Sequence, residues 1–175
     1  FITCSDSRVL AELITQSKPG DLFVVKNVGN IVPPANVRGD TNSTAAAIEF
    51  AVDTLKVSDI VICGHSQCGA ITALLDSKPV SANTPHLRDW LNLASPVVET
   101  LKKDYAHLHG AARETAAAEE NVLFGLDSLH SYSCVQERLM DGSLRLHGWF
   151  FKIATAELFA YDPETRQFSP LVNES

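Results

Sequence analysis

The segment that most limits the fold is Asp59-Ile60-Val61-Ile62-Cys63. After Asp59 it is apolar without alternation. A strand with one wet face alternates polar and apolar residues, so a continuous run points to a strand covered on both sides. Further strand-like runs lie at 1–3, 22–25, 144–153 and 158–161, bounded by turn residues such as Pro19-Gly20-Asp21 and Asp162-Pro163. Between them lie helical patterns. Val9, Leu10, Leu13 and Ile14 share one face. Ala45, Ile48, Val52 and Leu55 recur at helical spacing behind a cap expected at Ser43 or Thr44, and further helices are expected over 70–75, 85–93, 96–108, 115–129 and 134–140, the last stopping near Gly142. Strands alternating with helices imply right-handed crossovers. The predicted fold is therefore α/β: a mainly parallel central sheet flanked by helices, with a C-terminal antiparallel strand. One domain over 1–175 is expected, with surface loops at 29–42 and 76–86.

Composition removes several function classes. With 45% hydrophobic residues the chain can build a core, which argues against disorder. No apolar run approaches the ~20 residues of a membrane-spanning helix. Lys and Arg number 14 against 21 Asp and Glu, a formal charge of −7, so nucleic acid is not the expected partner.

The chemistry gathers where strands end. In an open parallel sheet, ligands bind beyond the carboxyl ends of the strands. The first strand runs into Cys4-Ser5-Asp6-Ser7-Arg8, and the third into Gly64-His65-Ser66-Gln67-Cys68-Gly69. Were these strands neighbours, Cys4, His65 and Cys68 would meet. Two thiolates and one imidazole suit zinc, and three protein ligands leave one position open, as catalytic zinc sites do. Cys68 is expected in the first turn of the following helix, with Gly64 and Gly69 allowing close backbone approach to the metal. Asp6 could reach the open position as an alternate ligand in a closed state; pairing with Arg8 would hold it away. Strand alternation would turn Cys4, Asp6 and Arg8 to one side.

Each piece also has an ordinary structural reading. Cys4 alone would be a buried thiol, Asp6 with Arg8 a loop ion pair or helix cap, and His65-x-x-Cys68 a chance spacing. Redox-active thiols at Cys4 and Cys68 are a further reading, with no C-x-x-C to support it. Cys63 is expected in the core and Cys134 half-buried on a helix. No metal role is assigned to His86, His107, His109, His130 or His147.

At these residues the sequence resembles the β-class carbonic anhydrases, in their open-zinc, plant- and bacterial-like subgroup. Cys4-Ser5-Asp6-Ser7-Arg8 matches the family's C-x-D-x-R, and His65-x-x-Cys68-Gly69 its H-x-x-C-G. The likeness continues through 23–30, 48–52 and 146–149. The resemblance implies a zinc-dependent carbonate dehydratase that hydrates CO2 reversibly to bicarbonate and a proton through zinc-bound hydroxide. Cys4, His65 and Cys68 would be the ligands of one Zn2+ per subunit and Asp6 with Arg8 the catalytic dyad. Phe23, Val28, Phe50 and Gly69 would form the substrate pocket. It further implies a homodimer or dimer of dimers, with part of each pocket supplied by the neighbouring subunit. An N-terminal helical arm and a pocket Gln would precede Phe1. A regulatory bicarbonate site known in one subgroup begins with Trp and Arg, where this chain has Phe1 and Lys26. A cytoplasmic enzyme is expected, with an organelle or carbon-fixing compartment as the alternative. Two other readings stay open: a carbonyl sulfide or carbon disulfide hydrolase at the same zinc, and a non-catalytic zinc domain for assembly or regulation, fused to a larger chain.

Overall fold

The computed structural model describes residues 1–36, 42–76 and 83–171. Residues 37–41 and 77–82, within the two expected surface loops, lie outside the described residues. Six strands form one sheet: β1 (Ile2–Cys4), β2 (Val25–Asn27), β3 (Asp59–His65), β4 (Arg145–Lys152), β5 (Glu157–Asp162) and β6 (Gln167–Pro170), in the order β2-β1-β3-β4-β5-β6. The first four are parallel; β5 pairs antiparallel with β4 on one side and with β6 on the other. The α/β expectation therefore holds, with a second antiparallel strand at Phe168 beyond the one anticipated.

β3 sits between β1 and β4, in register through Thr3 with Cys63 and Cys63 with Trp149. This central position accounts for its unbroken apolar run: Ile60, Ile62 and Cys63 are all buried. Burial pushes the Cys63 thiol up to about 12. The second strand lies later than its apolar run suggested. Leu22 and Phe23 precede it, and Val25–Asn27 make the ladder because Val25 pairs with Ile2 and the Val25 N–H reaches the Phe1 carbonyl.

The helices are α1 (Ala11–Thr15), α2 (Ser43–Glu49), α3 (Gly69–Leu75), α4 (Pro85–Asn92), α5 (Ser95–Asp104), α6 (Gly110–Leu129) and α7 (Ser133–Met140). α1 is short, and its expected apolar face is not a core face. Val9 and Ala11 are buried, while Leu13 is 73% exposed and lines a surface groove with Trp149 and Leu158. α2 is capped one residue earlier than expected. The Asn42 side chain accepts from the Thr44 and Ala45 N–H groups, and the helix runs on into a π turn over 50–54. α6 starts five residues before the expected Thr115, carrying the Ala116-Ala117-Ala118 run into the interior.

Two buried clusters result. Ile2, Ile60 and Ile62 pack with Ile48, Val52, Val122, Leu129 and Val135. Ile31, Ile71, Leu91, Val97, Leu101 and Ala117 surround Cys4 and Cys68. α6 contributes to both. Its close approach depends on Gly64, where an added Cβ would lie 2.8 Å from Val122 Cγ2 and 3.2 Å from the Ala118 carbonyl oxygen. The expected role of Gly64 beside the metal is thereby corrected: its missing side chain makes room for a helix.

At the opposite end of β3, Asp59 accepts from Arg145 Nε and Nη2 at 2.9 and 3.1 Å, from Ser58 Oγ at 2.6 Å, and pairs with His147 Nε2 at 2.9 Å. Arg145 first, then Ser58 and His147, hold this carboxyl well below the usual range.

Two outcomes follow from this packing. Gly64→Ala is expected to cost about 1–3 kcal/mol by overpacking, read as a lower urea midpoint. A carboxyl whose folded pKa is depressed contributes stability in full above its unfolded pKa of about 3.9 and loses it as pH falls toward the folded value. Asp59→Asn should therefore lower stability by about 1 kcal/mol at pH 6, the pair being partly exposed. The gap to the parent should shrink in urea titrations toward pH 2.

Candidate metal centre

Because β1 and β3 are neighbours, Cys4 and His65 leave the sheet at the same edge, and Cys68 follows at the N-cap of α3. The ligand atoms of Cys4, His65 and Cys68 all lie within 4.8 Å of one another, and all three residues are buried. Among the described residues this is the one such group of His, Cys, Asp or Glu. No disulfide links the cysteines: Cys4, Cys63, Cys68 and Cys134 are free.

The donor atoms stand close enough together to share one cation. Cys4 Sγ and Cys68 Sγ stand 3.9 Å apart. The hydrogen bond from Cys68 draws the Cys4 thiol well below its ordinary range against the effect of burial, with the neighbouring His65 ring and then backbone N–H groups at Asp6 and Gly29 adding to it. The same bond, then burial, pushes Cys68 up. His65 Nδ1 lies 2.9 Å from the Ser66 carbonyl, which fixes the tautomer with the proton on Nδ1. Nε2 is then an acceptor, buried and without a partner. An orphaned imidazole nitrogen beside two sulfurs is a donor set for a soft-to-borderline divalent metal, and zinc fits.

Asp6 and Arg8 stand at the rim. Arg8 Nε and Nη2 donate to the two Asp6 carboxylate oxygens at 3.0 and 2.7 Å, and the Arg8 backbone N–H donates to Asp6 Oδ1 at 2.9 Å. The guanidinium holds this carboxyl well below the usual range. The Val9 N–H also reaches the Asp6 carbonyl. The segment after Cys4 is therefore a tight turn and not an extended strand, so the expectation from alternation is corrected. The spacing of Asp6 and Arg8 serves a side chain folding back on its own backbone. Arg8 extends to Gln67 Oε1 and its carbonyl, both at 3.4 Å, which ties the β1 turn to the β3 turn. Lys26 Nζ braces the same turn from the Asp6 and Val9 carbonyls.

The expected pocket residues divide. Gly69 borders open space, with nothing within 4 Å of where a Cβ would stand. Val28 is 42% exposed, and the next residue, Gly29, donates its N–H to Cys4 Sγ at 3.4 Å. Phe23 and Phe50 meet at 5.8 Å, with Phe50 47% exposed. Phe23 lines a cavity of about 330 Å³ with Phe1, Ile2, Ala47 and Ile48, and none of the three metal-ligand candidates lines it. Phe1 itself stacks edge-on against Trp149 at 5.8 Å.

A family model described as carbonic anhydrase matches residues 1–158. A carbonic anhydrase of Synechocystis sp. is 40% identical over 168 residues, 96% of this chain and 61% of that protein. One from Pseudomonas aeruginosa is 40% identical over 171 residues, 98% of this chain and 76% of that protein. The chain belongs to the β-carbonic anhydrase family. The solved β-carbonic anhydrase CcaA superposes with a TM-score of 0.92 at 40% identity, covering 97% of this chain and 81% of that one. A tetrameric β-carbonic anhydrase of Sordaria macrospora does so at 0.81 and 32%, covering 91% and 77%. The chain thus spans under two thirds of the length of its Synechocystis relative. β-Carbonic anhydrases are zinc enzymes, and the Cys4–His65–Cys68 group has the donors that zinc requires.

Sequence reading did not anticipate the Gly29 N–H on Cys4, the Gln67 contact of Arg8, or the Lys26 brace. The 23–30 stretch carried a signal only as a family likeness; hydrogen bonds from backbone groups leave no residue-type signature.

Cys4→Ser, His65→Ala and Cys68→Ser are each expected to weaken zinc binding by more than the roughly 10–100-fold that partners of ligands typically cost. Cys63→Ala and Cys134→Ala should retain full zinc. Metal analysis and chelator competition on the purified proteins read both.

Proposed function

We propose that this chain catalyses the reversible hydration of CO2 to bicarbonate and a proton at the Cys4–His65–Cys68 centre. The observation that carries this reading is the joining of a buried two-sulfur, one-imidazole donor set to a rim carboxylate whose oxygens are both held by Arg8. Cys4 Sγ, Cys68 Sγ and His65 Nε2 would hold Zn2+, a Lewis acid that lowers the pKa of water enough to make a nucleophile near neutral pH.

The chain's own residues set the rest. Two thiolates and a neutral imidazole balance the cation, so the centre needs no further anion. Asp6, ionised and gripped by Arg8, is an acceptor only and stays out of the ligand set. It can accept a proton donor's hydrogen bond and orient the attacking oxygen toward CO2. Arg8 fixes that carboxylate and, through Gln67, its height above the metal ligands. Carbon dioxide is small and apolar, and we assign Val28 and Gly69 to its pocket wall. We assign Phe23 and Phe50 to the same wall across a subunit interface, in a homodimer or dimer of dimers. A half-buried Phe23 paired with an exposed Phe50, beside a cavity that none of the three ligand candidates lines, favours that assignment. Two ligand thiols must stay reduced, which favours a reducing compartment such as the cytoplasm. Among the described residues no helix is long and apolar enough to cross a membrane.

Stopped-flow CO2 hydration by the zinc-loaded full-length protein tests the reading. Asp6→Asn should keep its zinc and lose about 100-fold in kcat/KM, the low end for a positioned proton-handling group. A zinc-loaded parent that hydrates no CO2 would overturn the proposal. Sulfide release from carbonyl sulfide in its place would identify a hydrolase, and neither activity a non-catalytic zinc domain.

A further inference from the structure

The peptide joining Val28 to Gly29 is held at both ends. Its N–H donates to Cys4 Sγ at 3.4 Å, and its carbonyl oxygen accepts from the indole Nε1 of Trp90 at 2.7 Å. In a trans peptide the N–H and C=O point in opposite directions. Trp90 and Cys4 therefore sit at the two ends of one amide dipole, though Trp90 lies on α4 and is no part of the metal centre. The loop around this peptide has little freedom. Gly29 has φ 79° and ψ 19°, Asn30 has φ 44°, and a Cβ at Gly29 would stand 3.0 Å from Ala70 Cβ. Asn121 Nδ2, buried on α6, holds the Gly29 carbonyl at 2.9 Å. Asn27 closes the loop on Ile31 through both amide atoms, at 2.9 and 3.0 Å.

Hydrogen bonds in series polarise one another, most strongly where the surroundings are dry. A donor on the carbonyl makes the N–H of the same peptide a better donor. An N–H on a metal thiolate withdraws electron density from sulfur, and the less the sulfur donates, the stronger the metal's pull on its remaining ligand. We propose that Trp90 is a positioning residue of the metal centre: through the Val28–Gly29 peptide it orients and polarises the N–H that bonds Cys4, and so tunes how strongly that sulfur donates to zinc. Trp90 also packs against the buried cluster that contains Cys4 and Cys68, so the indole couples the docking of α4 to the electronics of the site.

This inference rests on Cys4 being a metal ligand, and cadmium-113 NMR of the full-length protein separates the two claims. Scalar coupling from 113Cd to the Cys4 β-protons tests the ligand. Coupling from 113Cd to the Gly29 amide proton, across the N–H···S bond, tests the relay. Both couplings are expected in the parent, with the Gly29 coupling reduced and its amide proton shifted upfield in Trp90→Phe. In the cobalt-substituted protein the thiolate-to-Co2+ charge-transfer band should move to longer wavelength in the same variant, as a more electron-rich sulfur requires. CO2 hydration should fall by roughly three- to tenfold, less than for a group bonded directly to a ligand. Replacing the indole by its benzothiophene isostere keeps the ring volume and removes the N–H, which gives the same readout should Phe fail to fold. Cys4 coupling with no Gly29 coupling overturns the relay and leaves the ligand assignment standing, as do a Gly29 coupling and cobalt band that either variant leaves unchanged. Absence of the Cys4 coupling overturns the ligand assignment and the relay with it.

Discussion

Two sulfur atoms 3.9 Å apart in a buried site cannot both carry charge unless a cation lies among them. Everything nearby is consistent with that demand. The sulfurs hydrogen-bond to each other, the buried imidazole Nε2 has no hydrogen-bond partner, and the Asp6 carboxylate is held by Arg8. A disulfide would satisfy the sulfurs but not His65 Nε2. A structural ion pair would explain Asp6 and Arg8 but not the buried, unpartnered His65 Nε2. Zinc answers all of these features together, which is why the donor set carries more weight than any one of its members.

The sheet is what brings this about, and the residues that encode the sheet were largely readable. A run that is apolar on successive residues at 60–63 means a central strand, and a central strand must have neighbours on both sides. From there the meeting of Cys4 with His65 required only that β1 be one of those neighbours. What the sequence could not show is how the chain behaves after the strands stop. Cys4, Asp6 and Arg8 read as alternate residues of an extended segment, yet the chain turns at Asp6, because its carboxylate finds its own Arg8 N–H two residues on. Aspartate competes with regular structure in this way through its short side chain, and the competition is decided by local geometry, not by pattern. The same limit explains β2. The apolar residues Leu22 and Phe23 mark a strand by composition, but the ladder is set by where Val25 meets Ile2. α1 fails differently: its apolar stripe is real, but Leu10 and Leu13 face outward, and periodicity cannot say which neighbour, if any, a stripe will meet.

The pocket residues illustrate a third limit. Val28 and Gly69 are chain neighbours of Gly29, which bonds Cys4, and of Cys68, whereas Phe23 and Phe50 pair with each other away from the ligand candidates' chain neighbours. The proposed wall shared by two subunits would have no contiguous geometry in one of them. Family likeness can nominate such residues, and a single chain shows only that they are aromatic and adjacent, with Phe50 exposed.

Metal geometry and core packing meet at Gly64. It lies between Cys63, a core thiol, and His65, a ligand, and it is where α6 presses closest on the sheet. The helix that fixes β3 there also sends Asn121 to the Gly29 carbonyl, within the loop whose N–H bonds Cys4. One helix thus touches both the strand that ends at His65 and the loop that bonds Cys4. Rigid elements hold a donor set more closely than loops can. Here the loops that carry Cys68, Asp6 and Gly29 borrow that rigidity through side-chain bonds to their carbonyls and through the Arg8–Gln67 tie. A change in α6 packing should therefore be felt at the metal before it is felt in the secondary structure, because the ligand atoms sit where strand, helix and turn all end.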